Sequence, residues 1–207
     1  MKKGLFYAIG LYLCILNCTI WAGDPFAEPL IRDIYERHSA AETGDKGATK
    51  NLVTLLEEET EKHPDNALLQ CYLGSAYTLA SRDAFPGPGK FHFLKKGLQS
   101  MDKAVERASE DQAVRFVRAV NNFMLPAFIN RRDNARKDFQ ILLGQIEKNP
   151  DQLNSETRQA IYYFSGLSFK QLGDLPKAKE AWKKGTALAP DSELARKINS
   201  ELVKIKV

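Results

Sequence analysis

Residues 159–192, QAIYYFSGLSFKQLGDLPKAKEAWKKGTALAPDS, decide the fold. Apolar side chains recur there at spacings of three and four, the period of an amphipathic helix, rather than alternating at two. Gly173-Asp174 interrupts the pattern in the middle and Ala189-Pro190-Asp191 ends it, so the stretch reads as two helices joined by a tight turn. The same junction appears upstream as Glu61-Lys62-His63-Pro64-Asp65 and Glu147-Lys148-Asn149-Pro150-Asp151. In each, Pro is expected to end one helix and Asp to cap the next. Pro150 and Pro190 are 40 residues apart, and a further 40 back stands Ser109-Glu110-Asp111, a proline-free version.

Working outward, every segment after Asp24 carries the helical period, which predicts an all-α chain. The expected helices are 28–41, 48–63, 66–81, 91–109, 111–125, 132–148, 155–172, 174–188 and 192–205. They make about four helix pairs plus a C-terminal capping helix. In that last helix Leu194, Ile198, Leu202 and Ile205 form one stripe opposite Arg196, Lys197 and Lys204, as a closing element with a polar back requires.

Residues 159–192 closely resemble a tetratricopeptide repeat, the family of 34-residue helix-turn-helix units. Gly166 stands where paired helices approach, and Tyr162 and Phe169 flank it. Ala178 packs back on the first helix, Trp182 fills the space beyond it, and Pro190 closes the unit. Gly185 stands where the family usually has Ala, and Ser165 where it usually has Leu. Residues 67–109 match through Leu73, Gly74 and Tyr77, then Gly97, Met101 and Ala104. There Gly74 and Gly97 lie 23 residues apart where Gly166 and Ala178 lie 12 apart. The extra residues fall at 82–92, whose prolines and glycines predict a loop insertion. Residues 33–64 and 111–150 fit as degenerate units. The resemblance thus implies a tetratricopeptide-like helical repeat solenoid over about 30–192. The run from Arg118 to Phe139, with the 82–93 segment, is also similar to a group of exported bacterial repeat proteins of undefined activity.

The N-terminus reads as an address. Lys2 and Lys3 precede an apolar run from Leu5 to Leu16, and Ile20-Trp21-Ala22 offers a small residue before Gly23-Asp24-Pro25. This pattern predicts a signal peptide over 1–22 and a single repeat domain over 23–207. Export to the periplasm follows as an expectation, with an uncleaved anchor or lipid attachment at Cys18 as alternatives. Cleavage would leave Cys71 as the remaining cysteine, within an apolar run that suits a small buried hydrophobe.

The 207-residue chain has 43% hydrophobic and 27% charged residues and a net charge of +4, which excludes a polytopic membrane protein and a wholly disordered chain. Without Lys2 and Lys3 there remain 28 basic against 26 acidic residues, too balanced to imply nucleic acid. His38, His63 and His92 are scattered, and no nucleophile elbow or phosphate loop occurs, so no catalytic residue, metal or cofactor is expected.

Two places attract a binding reading. The first is a groove lined by first helices, with Tyr77, Arg115, Arg118, Asn122 and Phe169 as candidates. Tyr77 and Phe169 also match packing positions of the repeat. Arg115 and Arg118 could instead be surface ion-pair partners of Asp133 or Asp138. The second is the 82–92 insertion, where Phe85, Lys90 and Phe91 combine aromatic and basic character around Pro86-Gly87-Pro88-Gly89. The expected function is a non-enzymatic scaffold in the cell envelope that holds another envelope protein or peptide, with peripheral association with a membrane complex. The alternative is a carrier of lipid or a small apolar ligand, with the break from Met124 to Phe128 opening a cavity.

Overall fold

A computed structural model describes residues 28–205, so the expected signal peptide at 1–22 and Cys18 lie outside the described residues. Among the described residues the chain is all-helical: α1 (Pro29–Glu42), α2 (Lys46–Lys62), α3 (Ala67–Asp83), α4 (Pro88–Arg107), α5 (Gln112–Met124), α6 (Arg132–Lys148), α7 (Ser155–Gln171), α8 (Leu175–Leu188) and α9 (Glu193–Lys204). Consecutive helices pack as pairs, the arrangement of a helical repeat.

Several helix starts are set by side-chain oxygens that accept otherwise orphaned amide protons. Asp45 Oδ1 takes the N–H groups of Gly47 and Ala48 at 2.8 and 3.0 Å. Asn66, Asn154 and Ser192 cap α3, α7 and α9 with bonds of 3.0, 2.7 and 2.9 Å. At these Pro-Asp junctions the cap is therefore not the Asp expected from sequence but a residue one or three positions later. Asp65 instead accepts from Arg107 at 2.9 Å, while Pro150–Gln152 forms a separate 3-10 turn before α7. The proline-free junction behaves as read, with Asp111 Oδ1 accepting from Ala113 and Val114 at 2.8 and 3.0 Å.

The expected loop at 82–92 is a second correction. α3 continues through Asp83 and α4 begins at Pro88, leaving 84–87 as the connection. Pro is compatible with the first turn of a helix because that turn's N–H has no partner to lose. Gly87, at φ 151°, supplies the backbone conformation that L side chains avoid. The extra residues therefore mostly lengthen the two helices.

The chain divides into two compact units, one ending at Arg118 and the other beginning at Ala119 within α5. In the first, α3 is the enclosed centre, with every residue from Leu68 to Leu79 buried except Gln70, which is half-buried. It crosses α4 where two glycines meet. A Cβ added to Gly74 would lie 2.7 Å from the Gly97 carbonyl oxygen, and one on Gly97 would lie 2.6 Å from that of Gly74. Ile31, Ile34, Leu52 and Leu56 of α1 and α2 join α3 in the same core.

The second unit is built around Phe139, Leu142, Ile146, Ile161, Trp182, Leu194 and Ile198. Phe123 of α5 meets Phe139 and Phe164 edge-on, each at 6.3 Å between centroids. α7 and α8 meet at Gly166, where an added Cβ would collide with the indole of Trp182. The Trp182 N–H donates to the Tyr163 carbonyl at 3.0 Å. Gly185 leaves room for its neighbours: a Cβ there would approach Tyr162 Cβ to 3.0 Å. Gln159, fully buried, then joins three helices. Its amide donates to the carbonyls of Gly185 and Ala189, both at 3.0 Å, and its oxygen accepts from the Ser192 hydroxyl at 2.8 Å.

Candidate functional site

The residues expected to line a first-helix groove are mostly enclosed. Tyr77 is 2% exposed and its hydroxyl donates to Glu57 at 2.5 Å. Its ring carries Lys96 Nζ at 4.1 Å and stacks on Phe93. Burial, reinforced by Glu57, raises its phenol well above the ordinary tyrosine value. Cys71 and Ser75 of α3 are also closed off: the Cys71 thiol donates to the Val114 carbonyl at 3.3 Å, and Ser75 meets His38.

Arg115 is buried and donates to the Ser109 carbonyl, while Arg118 pairs with Asp102 at 3.2 Å. Both arginines thereby fasten the start of α5 to the end of α4 and the turn between them. Asn122, in the second unit, is fully buried and accepts from Arg131 at 3.1 Å. Phe169 is buried, with Lys177 Nζ 5.9 Å from its ring. Tyr77, Arg115, Asn122 and Phe169 are thus buried, and Arg118 is half-buried.

A chain of buried polar groups escaped the sequence reading. His38 Nε2 lies 2.7 Å from Ser75 Oγ, and His38 Nδ1 lies 3.0 Å from Glu42 Oε1. Burial raises the Glu42 carboxyl, and the hydrogen bond from His38 and the charge of Arg82 offset this only in part. Arg82 also donates to the carbonyls of Glu42 and Ala41 at 3.2 and 2.8 Å, and its neighbour Asp83 accepts from Thr49 at 2.7 Å. The order hydroxyl, imidazole, carboxylate is that of a nucleophilic triad, but Ser75 sits mid-helix with the following amides held in helical bonds. The contact between His38 and Ser75 ties α1 to α3. The i,i+4 spacing of His38 and Glu42 was its one local signal, since Ser75 is 37 residues away. Among the described residues, no group of three His, Cys, Asp or Glu side chains is arranged to hold a metal ion.

The three insertion candidates come together at the α3–α4 connection. Phe85 is 88% and Phe91 68% exposed. Lys46 Nζ lies 5.6 Å from the Phe85 ring centroid. Lys90 pins the turn: its ammonium donates to the Arg82 carbonyl at 3.2 Å, and its own carbonyl accepts from the Ser81 hydroxyl at 2.8 Å. The second unit exposes large apolar residues at its own intra-pair turns. Phe128, 82% exposed, lies on the 3-10 turn Ala127–Ile129 between α5 and α6. Leu172 and Leu175 flank Gly173 between α7 and α8. Sequence reasoning passed over Leu172 and Leu175 and met Phe128 only as the end of the Met124 to Phe128 break, although a large apolar residue in a turn is the signal all three carry.

No family profile matches the chain, and no curated protein matches it. Among solved structures it is similar to a mutant of MamA, at 18% identity and TM-score 0.48 over 83% of this chain and 86% of that one. It is also similar to MamA MSR-1, at 21% identity and TM-score 0.44 over 80% of this chain and 79% of that one. The helix-pair description rests on the packing of the chain's own glycines and aromatics.

Proposed function

We propose that the chain is a non-enzymatic interaction scaffold of the cell envelope, which holds a partner protein through the exposed turns of its helix pairs. The observation that carries this reading is the apolar exposure of Phe128, Leu172 and Leu175 at both intra-pair turns of the second unit. Turn positions normally tolerate polar residues without cost, so large apolar side chains there fit contact surfaces better than packing requirements. The polar groups that could do chemistry are instead spent holding helices together. The exported location is supported by Lys2, Lys3 and the apolar run from Leu5 to Leu16.

The test is affinity capture of the tagged protein from its native cells after chemical crosslinking, with a Phe128→Ser/Leu175→Ser variant alongside. Both changes are on exposed residues, and circular dichroism verifies that the variant keeps its helix content. The expected result is one dominant protein partner in the wild type and its loss in the variant; unchanged capture would refute the turn as the contact. Recovery of the protein in a periplasmic extract with an N-terminus at Gly23 is the expected outcome for location, and a mass retaining residues 1–22 in the cytoplasm would contradict it.

A further inference from the structure

We propose that the α3–α4 end of the first unit docks on the surface of an anionic lipid bilayer. Phe85 and Phe91 are the two large apolar side chains that this unit exposes among its described residues. They stand among cations rather than in a wider apolar patch. From Ala84 to Met101 the sequence has no acidic residue and carries Lys90, Lys95 and Lys96 with His92. Phe91 and Lys95 are four apart on α4 and so share a face. Lys46 reaches over Phe85 from the start of α2, with exposed Lys50 one turn further on.

The nearby carboxylates are already engaged. Asp83 is paired with Arg82 at 2.7 Å, Glu57 meets Lys96 at 3.3 Å, and Asp45 caps α2. A partner of opposite charge therefore meets Lys46, Lys50 and Lys95 outside these ion pairs, while Lys96 is shared with Glu57. Two separated rings amid lysines make a poor core for a protein interface, which needs contiguous apolar area. They suit a bilayer interface, where rings enter at headgroup depth and ammonium groups meet lipid phosphates. The turn is also ordered beforehand: Pro88 fixes φ at the start of α4, and Lys90 N–H donates to the Gly87 carbonyl at 3.1 Å. Little freedom is lost on docking. This docking is independent of the second unit's turns, so the two readings stand or fall separately.

The test is co-sedimentation of the protein, purified as the cell produces it, with vesicles of phosphatidylglycerol and phosphatidylcholine, against vesicles of phosphatidylcholine alone. Two variants run beside it, Phe85→Ser/Phe91→Ser and Lys46→Glu/Lys95→Glu, all at exposed positions, with circular dichroism verifying that each folds. The expected result is binding to the anionic vesicles only, weakened by salt. Each lysine near the surface contributes about fivefold to partitioning, so the charge-reversal variant should lose more than tenfold. The phenylalanine variant should lose a comparable factor. Absence of wild-type binding, or binding that neither variant reduces, overturns the proposal. So does loss of a crosslinked protein partner in these variants while vesicle binding is absent, which would make this face a protein contact.

Discussion

Gly166 and Gly144 are both helical glycines, yet they differ in what a methyl group would meet. At Gly166 the added carbon would enter the indole of fully buried Trp182, whereas at Gly144 nothing lies within 4 Å. Gly166→Ala is therefore expected to cost about 1–3 kcal/mol by overpacking. Gly144→Ala should gain about 0.5–1 kcal/mol, because Ala restricts the unfolded chain and favours helix. Urea titration of both variants checks the pair, and equal effects would contradict the crossing at Gly166. Glu42 makes a second prediction at this scale. Its carboxyl titrates above the ordinary 4.5 when folded, so the native state holds its proton more tightly than the unfolded chain does. Its contribution to stability is present below pH 4.5 and is lost as the pH rises through the raised folded value. Glu42→Gln removes that step. The stability of the variant relative to wild type should rise with pH across this interval, and urea titrations at a series of pH values would show a flat difference if the carboxyl did not behave so.

At the scale of elements, the helices were legible because their signals are local. The period of three and four marked each one, and the Gly166, Trp182 and Gly185 contacts appear where the repeat pattern placed them. Misreadings came where two local rules compete. Pro88 looks like a helix breaker, but at the first turn it fits a helix, so α4 starts earlier than 91. Asp65 looks like a cap, but Asn66 takes that role and frees Asp65 for Arg107. Gln159 was invisible because its three partners lie 26 to 33 residues away. Gln159→Leu would leave the buried Gly185 carbonyl, the half-buried Ala189 carbonyl and the Ser192 hydroxyl short of a partner, an expected cost of about 1–3 kcal/mol. The loss should be seen first as faster amide hydrogen exchange in α9, with α3 and α4 unchanged. Uniform acceleration through both units would contradict a local role.

For the whole molecule, the binding surface was harder to read than the fold, because exposure depends on which helices cover which faces. Tyr77 and Arg115 looked available on their own helices, but α2 with α4 encloses one and the turn before α5 holds the other. Phe85 was legible because a connection is exposed whatever packs around it, and Phe91 lies exposed in the first turn of α4 beside half-buried Lys90. Phe128, Leu172 and Leu175 obey the same logic, and the account places the partner on them. The most direct measurement is in-cell crosslinking with a photoreactive amino acid substituted at Phe128 or Leu172, and separately at Tyr163 or Leu167 on the first helix of the last pair. The account predicts a defined partner adduct from 128 and 172 and none from 163 and 167. Adducts from 163 and 167 alone would contradict it and return the contact to a first-helix groove.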